Sequence, residues 1–283
     1  MKRYKLFLIF GVLFPTCFTT VAESVSYDRV LRVHDRKIIQ FSQMIKEIKK
    51  KPIVLLGENH DNMRHHEAEL DIIKSLNESR LPLAIGLEMF RSNGQNSLDL
   101  WTSGKLTLEK FLPFYYDNWH APWPWYRDIF LYAKENRIPM IGLNVPTEIT
   151  EKVARQGFSS LGSEELKQLP PEISCDVDAT YMDFISRAHG ARAKKDDASF
   201  RHFCEAQMLW DKSMAWHLLE FVKKNPGKTV IVLAGVAHSW KRGIALQLRR
   251  QSAIDYRVIL PEIPGRVGII DVTSDDADYI LLD

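Results

Sequence analysis

The sequence predicts an α/β fold: a mostly parallel central sheet flanked by helices, with an antiparallel edge and an inserted helical lobe. Three observations point to it. Short apolar runs at 53–56, 83–87, 140–143, 230–234, 256–260 and 267–272 have the length and composition of buried strands. Stretches with helical spacing fill most of the gaps, and that alternation builds parallel sheets with helices on both faces. Two of the runs end in the same way, in Gly57-Glu58-Asn59-His60 and in Gly235-Val236-Ala237-His238. A glycine at a strand exit permits a sharp turn or a close approach, and a histidine three residues on can hang over the carboxyl-terminal rim, where open α/β sheets hold ligands.

The chain opens with Met-Lys-Arg-Tyr-Lys, an apolar stretch at 6–14 and Thr20-Val21-Ala22, the three parts of a secretory signal. We expect cleavage after Ala22, leaving 23–283 as one exported domain in the periplasm or at the outer membrane. The apolar stretch is too short for an ordinary membrane-spanning helix. Phe14-Pro15-Thr16 is a poor match to the residues that precede a lipidated cysteine, which argues against a lipoprotein anchor at Cys17. Removing the signal takes away Lys2, Arg3 and Lys5 and no acid, so the formal charge falls by three from +2 and the domain is near neutral. Such a balance gives no electrostatic case for nucleic acid. Cys175 and Cys204 remain, and an exported protein with two thiols often joins them. On the chain-entropy account such a bridge contributes roughly 3 kcal/mol.

Helical spacing is read at 40–50, 63–78, 124–137, 148–155 and 243–250. The runs at 256–260 and 267–272 have no helix between them, which predicts that the antiparallel edge lies there. From about 147 to 228 the strand rhythm stops, and a helical insertion is expected. Its clearest helix covers 199–223, with Phe200, Phe203, Gln207, Trp210, Met214, His217 and Phe221 on one face. Gln207 and the adjacent Asp211 interrupt the apolar pattern, so each needs a hydrogen-bond partner if the helix closes over the rim of the sheet.

Glu58, His60, Glu88, Asn144 and His238 all follow apolar runs at the same relative place and are expected to converge. Carboxylates and imidazoles together can run acid–base chemistry, bind a divalent metal through Glu58, His60 and His238, hold a polar ligand, or pair with one another. His65, His66 and Glu67 do not continue into a His-Glu-x-x-His pattern and read as a solvated helix start. The sequence has no Gly-x-Ser-x-Gly elbow and no phosphate-binding Gly-x-x-x-x-Gly-Lys-Ser loop, which removes two common enzyme classes.

Six aromatic rings crowd into 115–126, a cluster suited to a flat apolar ligand and more commonly used to pack helices on a sheet. A second segment places Tyr181, Phe184 and Ala188 on one helical side, followed by His189, Arg192, Lys194 and Lys195. A phenol oxygen, apolar walls and cations are the parts of a haem site: an axial ligand, ring contacts and propionate partners. The same spacing also describes an amphipathic helix with a solvated basic end.

Five segments taken in order, Gly57-Glu58-Asn59-His60-Asp61, Gly86-Leu87-Glu88-Met89-Phe90, Gly142-Leu143-Asn144-Val145-Pro146, Ala206-Gln207-Met208-Leu209-Trp210-Asp211 with Met214-Ala215, and Ala234-Gly235-Val236-Ala237-His238, resemble the ChaN-like haem-binding proteins. These bacterial cell-envelope proteins share a superfamily with Tiki proteases and erythromycin esterases. The resemblance covers roughly 45 to 262. It implies an α/β core with a helical lobe and a role in haem or iron uptake with receptor or transport components. It also implies a homodimer holding haem between lobes, with a tyrosine ligand. Tyr181 is preferred over Tyr115 and Tyr116 because His189, Lys194 and Lys195 follow it. The esterase and protease branches imply instead a hydrolase using Glu58, His60, Glu88 and His238.

Overall fold

The computed structural model describes residues 26–171, 173–189, 197–265 and 267–283. The signal segment 1–22 and Lys194 lie outside them. The strands are β1 (Arg29–Arg32), β2 (Lys37–Gln40), β3 (Ile53–Glu58), β4 (Leu83–Arg91), β5 (Met140–Asn144), β6 (Thr229–Gly235), β7 (Tyr256–Pro261) and β8 (Tyr279–Leu282), in the order β2-β1-β8-β7-β3-β6-β4-β5. Pairing is parallel from β8 through β5, and β1 runs antiparallel to both β8 and β2. The fold class is therefore as the sequence predicts, but the antiparallel edge is made by the amino-terminal strands.

Two details of the expected late edge are corrected. Residues 267–272 form no strand; Val267 makes only an isolated bridge to Ile263, and the chain then turns through Thr273–Asp276. The last strand is β8, and it lies parallel to β7 because the long connection crosses back before it enters the sheet. Asp278 secures that crossing, its carboxylate accepting from the Val258 backbone at 2.8 Å.

The helices are α1 (Phe41–Ile48), α2 (Met63–Glu78), α3 (Gln95–Thr102), α4 (Leu108–Asn118), α5 (Trp123–Glu135), α6 (Thr147–Gln156), α7 (Ser163–Leu166), α8 (Ala179–His189), α9 (Ala198–Lys224), α10 (Val236–Ser239) and α11 (Ile244–Gln251). Local chemistry starts several of them. Asn62 caps α2 by accepting from Arg64 N–H, and Asp197 caps α9 by accepting from Ser199 N–H.

Neighbouring residues of a strand face opposite sides, and two cores follow from that alternation. Val54, Leu56, Ile85, Leu87, Ile231 and Leu233 pack against α2, α3, α4 and α5. Leu55, Ala84, Val230 and Val232 pack against Met214 and Leu218 of α9 and Ile244 and Leu248 of α11. The 115–126 aromatic cluster belongs to the first core: Tyr115, Trp123 and Tyr126 are buried beside Phe90, Phe111 and Phe130.

Between β5 and β6 helices α6 to α9 make up most of the described residues. Helix α8 packs on α9 through Tyr181, Ile185, Phe200, Cys204 and Met208. A Cys175–Cys204 disulfide, Cα atoms 5.9 Å apart, ties the approach to α8 onto α9.

Candidate functional site at the sheet rim

Strand β6 lies between β3 and β4, so the exits of these three strands are neighbours. Glu58 is in register with Gly235. Residues remote in the chain meet for that reason.

Glu58 continues the Val54–Leu56 face toward α2 and α5 and is 1% exposed. Its Oε1 accepts from Tyr126 Oη at 2.6 Å and from His60 Nδ1 at 2.6 Å, and its Oε2 lies 3.1 Å from His66 Nε2. Burial alone would raise this carboxyl; the hydrogen bond from His60 and the close approach of His66 outweigh it and hold the pKa at about 2. Behind Glu58 sits Glu69 of α2, fully buried. Burial, reinforced by the Glu58 charge, pushes the Glu69 carboxyl well above the usual range.

The expected solvated start of α2 is corrected for its two histidines, while Glu67 is exposed as expected. His65 and His66 are each 3% exposed, because the first turn of α2 packs against the β3 exit. His65 Nδ1 accepts from Asn59 N–H at 2.9 Å, which fixes the Glu58-Asn59-His60 turn.

His60 leans over Gly235. A β-carbon at Gly235 would lie 3.0 Å from His60 Nε2 and 3.7 Å from Glu88 Oε2. A bare backbone lets the imidazole come this close. Burial opposes a charge on His60, but Glu58 and Glu88 together raise its pKa. Trp119 meets the ring edge-on, with centroids 4.8 Å apart.

Glu88 faces the opposite side of β4 from Leu87. Its Oε2 accepts from Gly235 N–H at 2.6 Å, and its Oε1 stands 3.7 Å from His238 Nε2. Asn144 supports this turn by donating to the Glu88 carbonyl at 2.9 Å.

His238 stands on α10, directly after β6, and is 7% exposed. Its Nδ1 donates to Asp211 Oδ1 at 2.7 Å, and Asp211 Oδ2 accepts from Tyr181 Oη at 2.5 Å. The buried Asp211 that breaks the apolar pattern of α9 is thereby satisfied twice. Burial pulls His238 down, but Glu88 and Asp211 outweigh it and place its pKa at about 9.

The structure therefore brings Glu58, His60, Glu88 and His238 together, as two carboxylate–imidazole pairs on either side of Gly235 with Glu88 between them. An imidazole oriented through Nδ1 by a carboxylate offers Nε2 for proton transfer. The arrangement lends no support to the metal set Glu58, His60 and His238. Among the described residues no group of three His, Cys, Asp or Glu side chains is arranged to hold an ion. His60 and His238 each hold Nδ1 to a carboxylate, and Glu58 also accepts from Tyr126.

The three tyrosines differ. Tyr115 is buried and donates to the Ala121 carbonyl at 3.1 Å. Tyr116 is 44% exposed, and its oxygen accepts from Trp123 N–H. Tyr181 is 1% exposed, beside Phe184 and Trp240, and its hydroxyl is held by Asp211. Burial and the Asp211 charge push its pKa well above the usual phenol value. His189 ends α8.

Because the folded pKa of His238 is raised, its contribution to stability is complete below its ordinary value of 6.5 and is lost as pH rises through about 9. Thermal unfolding should show stability falling on the order of 3 kcal/mol across that window, and His238→Gln should flatten the alkaline arm. An unchanged slope in the variant would contradict the assignment.

A family model described as haem-binding uptake, Tiki superfamily, ChaN matches residues 44–248. The structure is similar to that of ChaN of Campylobacter jejuni, solved for its cofacial haem binding. The TM-score is 0.71 at 22% identity, over 89% of this chain and 95% of that one. It is also similar to the type III effector HopBA1, with a TM-score of 0.50 at 8% identity over 84% and 90% of the two chains. A mutant erythromycin esterase, EreC, in its open conformation gives 0.49 at 16% identity over 80% and 76%. At these identities the likeness is one of fold. No curated protein matches the sequence significantly.

Proposed function

The chain belongs to the haem-binding uptake family of the Tiki superfamily, ChaN, and from that premise we propose that it is an exported haem-binding protein of a bacterial haem or iron uptake system. The observation that carries the reading is the family match across 44–248, which includes the whole α8–α9 pair. The Campylobacter protein of the same fold binds haem cofacially, and a homodimer holding haem between helical lobes is the corresponding arrangement here. The Cys175–Cys204 disulfide supports export, since such bridges persist in oxidising compartments. A signal at 1–22, cleaved after Ala22, and delivery to outer-membrane receptor or transport components complete the proposal.

The cluster at α8 has donor types that suit the group but no open space for it: Tyr181 is 1% exposed and its hydroxyl is held by Asp211, so α8 would have to move for haem to reach it. Tyr181 brings a phenol oxygen, and Phe184 and Trp240 bring ring walls, with centroids 6.1 and 5.7 Å from Tyr181. Haem bound there would supply a ferric centre that takes an oxygen donor. Tyr181 is the proposed ligand, with His189 and Lys194 as propionate partners. Tyr115 and Tyr116 are the alternative oxygens. In hemin titrations Tyr181→Phe should alter the charge-transfer absorption and weaken binding at least about tenfold, the effect of losing an axial bond worth 1.4 kcal/mol or more. A variant spectrum identical to wild type would remove Tyr181 as the ligand.

One observation favours a second reading, a hydrolase that uses histidines and carboxylates. Glu58–His60 and Asp211–His238 face each other across Gly235, an arrangement suited to general acid–base work. His60 would then be the base, oriented by Glu58, with His238 and Glu88 opposite.

A further inference from the structure

Glu69 is a buried carboxyl that neither functional reading uses. It stands on the buried face of α2, 2% exposed, and both of its oxygens lack a hydrogen-bond partner. Glu58 lies within hydrogen-bond reach of it and is itself left with one unpartnered oxygen, Oε2. A buried acceptor left without a donor costs on the order of 1–3 kcal/mol, and more when it is charged. His60 and His66 approach the pair on the Glu58 side. His65 accepts from Asn59 N–H at Nδ1, which a charged imidazole cannot do. Among the described residues Glu58 thus has imidazole partners, and Glu69 has no counter-charge. Beside Glu69 lies a cavity of about 10 Å³ lined by Gly57, His65, Ala68, Ile259 and Pro261, room for about one water.

We propose that Glu58 and Glu69 share one proton, so that Glu69 is a positioning residue that acts through Glu58 on the His60 imidazole. Two adjoining buried carboxylates cannot both ionise without a counter-charge for each, and one proton between them turns two unpartnered acceptors into a donor and an acceptor. The proton belongs on Glu69, because His60, His66 and Tyr126 all favour the charge on Glu58. The second Glu69 oxygen accepts from the water that the cavity admits, and the shared proton exchanges with solvent through it. Donation from Glu69 spreads the Glu58 charge and weakens its hold on the His60 Nδ1 proton; losing the donor strengthens that hold. The inference deepens the acid–base reading of the rim, on which its use in catalysis rests. The groups that face the pair are His60 after β3, His65 and His66 from α2, Tyr115 from α4 and Tyr126 from α5, while β7 and β8 present Ile259 and Leu281.

The test uses the full chain without ligand. Infrared difference spectra at neutral pH should show, in wild type, the C=O stretch of a protonated carboxylic acid that Glu69→Gln lacks. Imidazole NMR then reads His60. Glu69→Gln, whose amide still donates to Glu58, should leave the His60 titration in place. Glu69→Leu, which donates nothing, should lower the His60 acid dissociation constant about threefold or more, the effect of losing one hydrogen bond to its partner. Identical His60 titrations in wild type and Glu69→Leu would overturn the proposal, and so would a wild-type spectrum without the acid band. Should Glu69→Leu fail to fold, the band in wild type against Glu69→Gln decides. Both readouts are independent of any substrate, so a failure here is distinct from a failure of the acid–base reading.

Discussion

Replacing Asp211 by alanine is expected to destabilise the protein by about 3–5 kcal/mol, the scale found when one partner of a buried ion pair is removed. The carboxylate is fully buried and serves two groups that have no other partner for the same atoms, His238 Nδ1 and Tyr181 Oη. Truncation leaves an imidazole that Glu88 still biases toward its charged form, now without its nearer counter-charge. It also leaves a buried phenol whose proton has nowhere to go. Asparagine keeps the shape and one acceptor, so Asp211→Asn should lose clearly less than the alanine variant. Chemical denaturation at neutral pH would measure both, and equal losses would mean that the cavity rather than the charge dominates.

Glu58→Ala should be comparably costly. Three side chains converge on this carboxylate: Tyr126 and His60 at 2.6 Å and His66 at 3.1 Å. Each unmet buried donor costs on the order of 1–3 kcal/mol. Because the Glu58 pKa is depressed to about 2, its contribution is present above the ordinary carboxylate value of 4.5 and is lost as pH falls through about 2. The difference in stability between wild type and Glu58→Ala should therefore be widest at neutral pH and close in acid. A gap that persists undiminished at pH 2 would contradict the ion-pair account.

Much of this rim is legible in the sequence because the sheet imposes it. Runs such as 53–56 and 230–234 have to be buried strands, and whatever follows them lands on the same edge. That logic places Glu58, His60, Glu88 and His238 together without any knowledge of strand order. Asp211 is half legible: its break in the apolar pattern of α9 demands a partner, but only the packing of α9 beside α10 identifies His238. Glu69 and His66 are missed because polar residue types at a helix start read as solvated. The signal is present in the spacing of His65, Glu69, Ile72 and Leu76 at four, three and four residues, which continues the buried stripe of α2.

The amino-terminal edge is illegible for a different reason. Strands β1 and β2 are four residues each and carry Arg29, Arg32, Lys37 and Gln40, so their apolar alternation is too short to register. Charged, short strands are also what an exposed sheet edge needs to resist pairing with other chains. The strand expected at 267–272 fails because Gly265 and Gly268 flank Val267, and turn geometry prevails over β-branched composition there.

Function divides along similar lines. The family match brings haem, whereas the best-defined chemistry in the described residues is the pair of carboxylate-oriented histidines at the rim. Tyr181 joins the two, since it is the proposed iron ligand and also the third member of the His238 chain.

The most direct test of the central claim is an absorbance titration of the purified protein with hemin, with sedimentation of the same samples. The account predicts saturable binding with a tyrosinate-type charge-transfer band and a shift from monomer to dimer as hemin is added. A spectrum that remains that of free hemin, with the protein sedimenting unchanged, would contradict it.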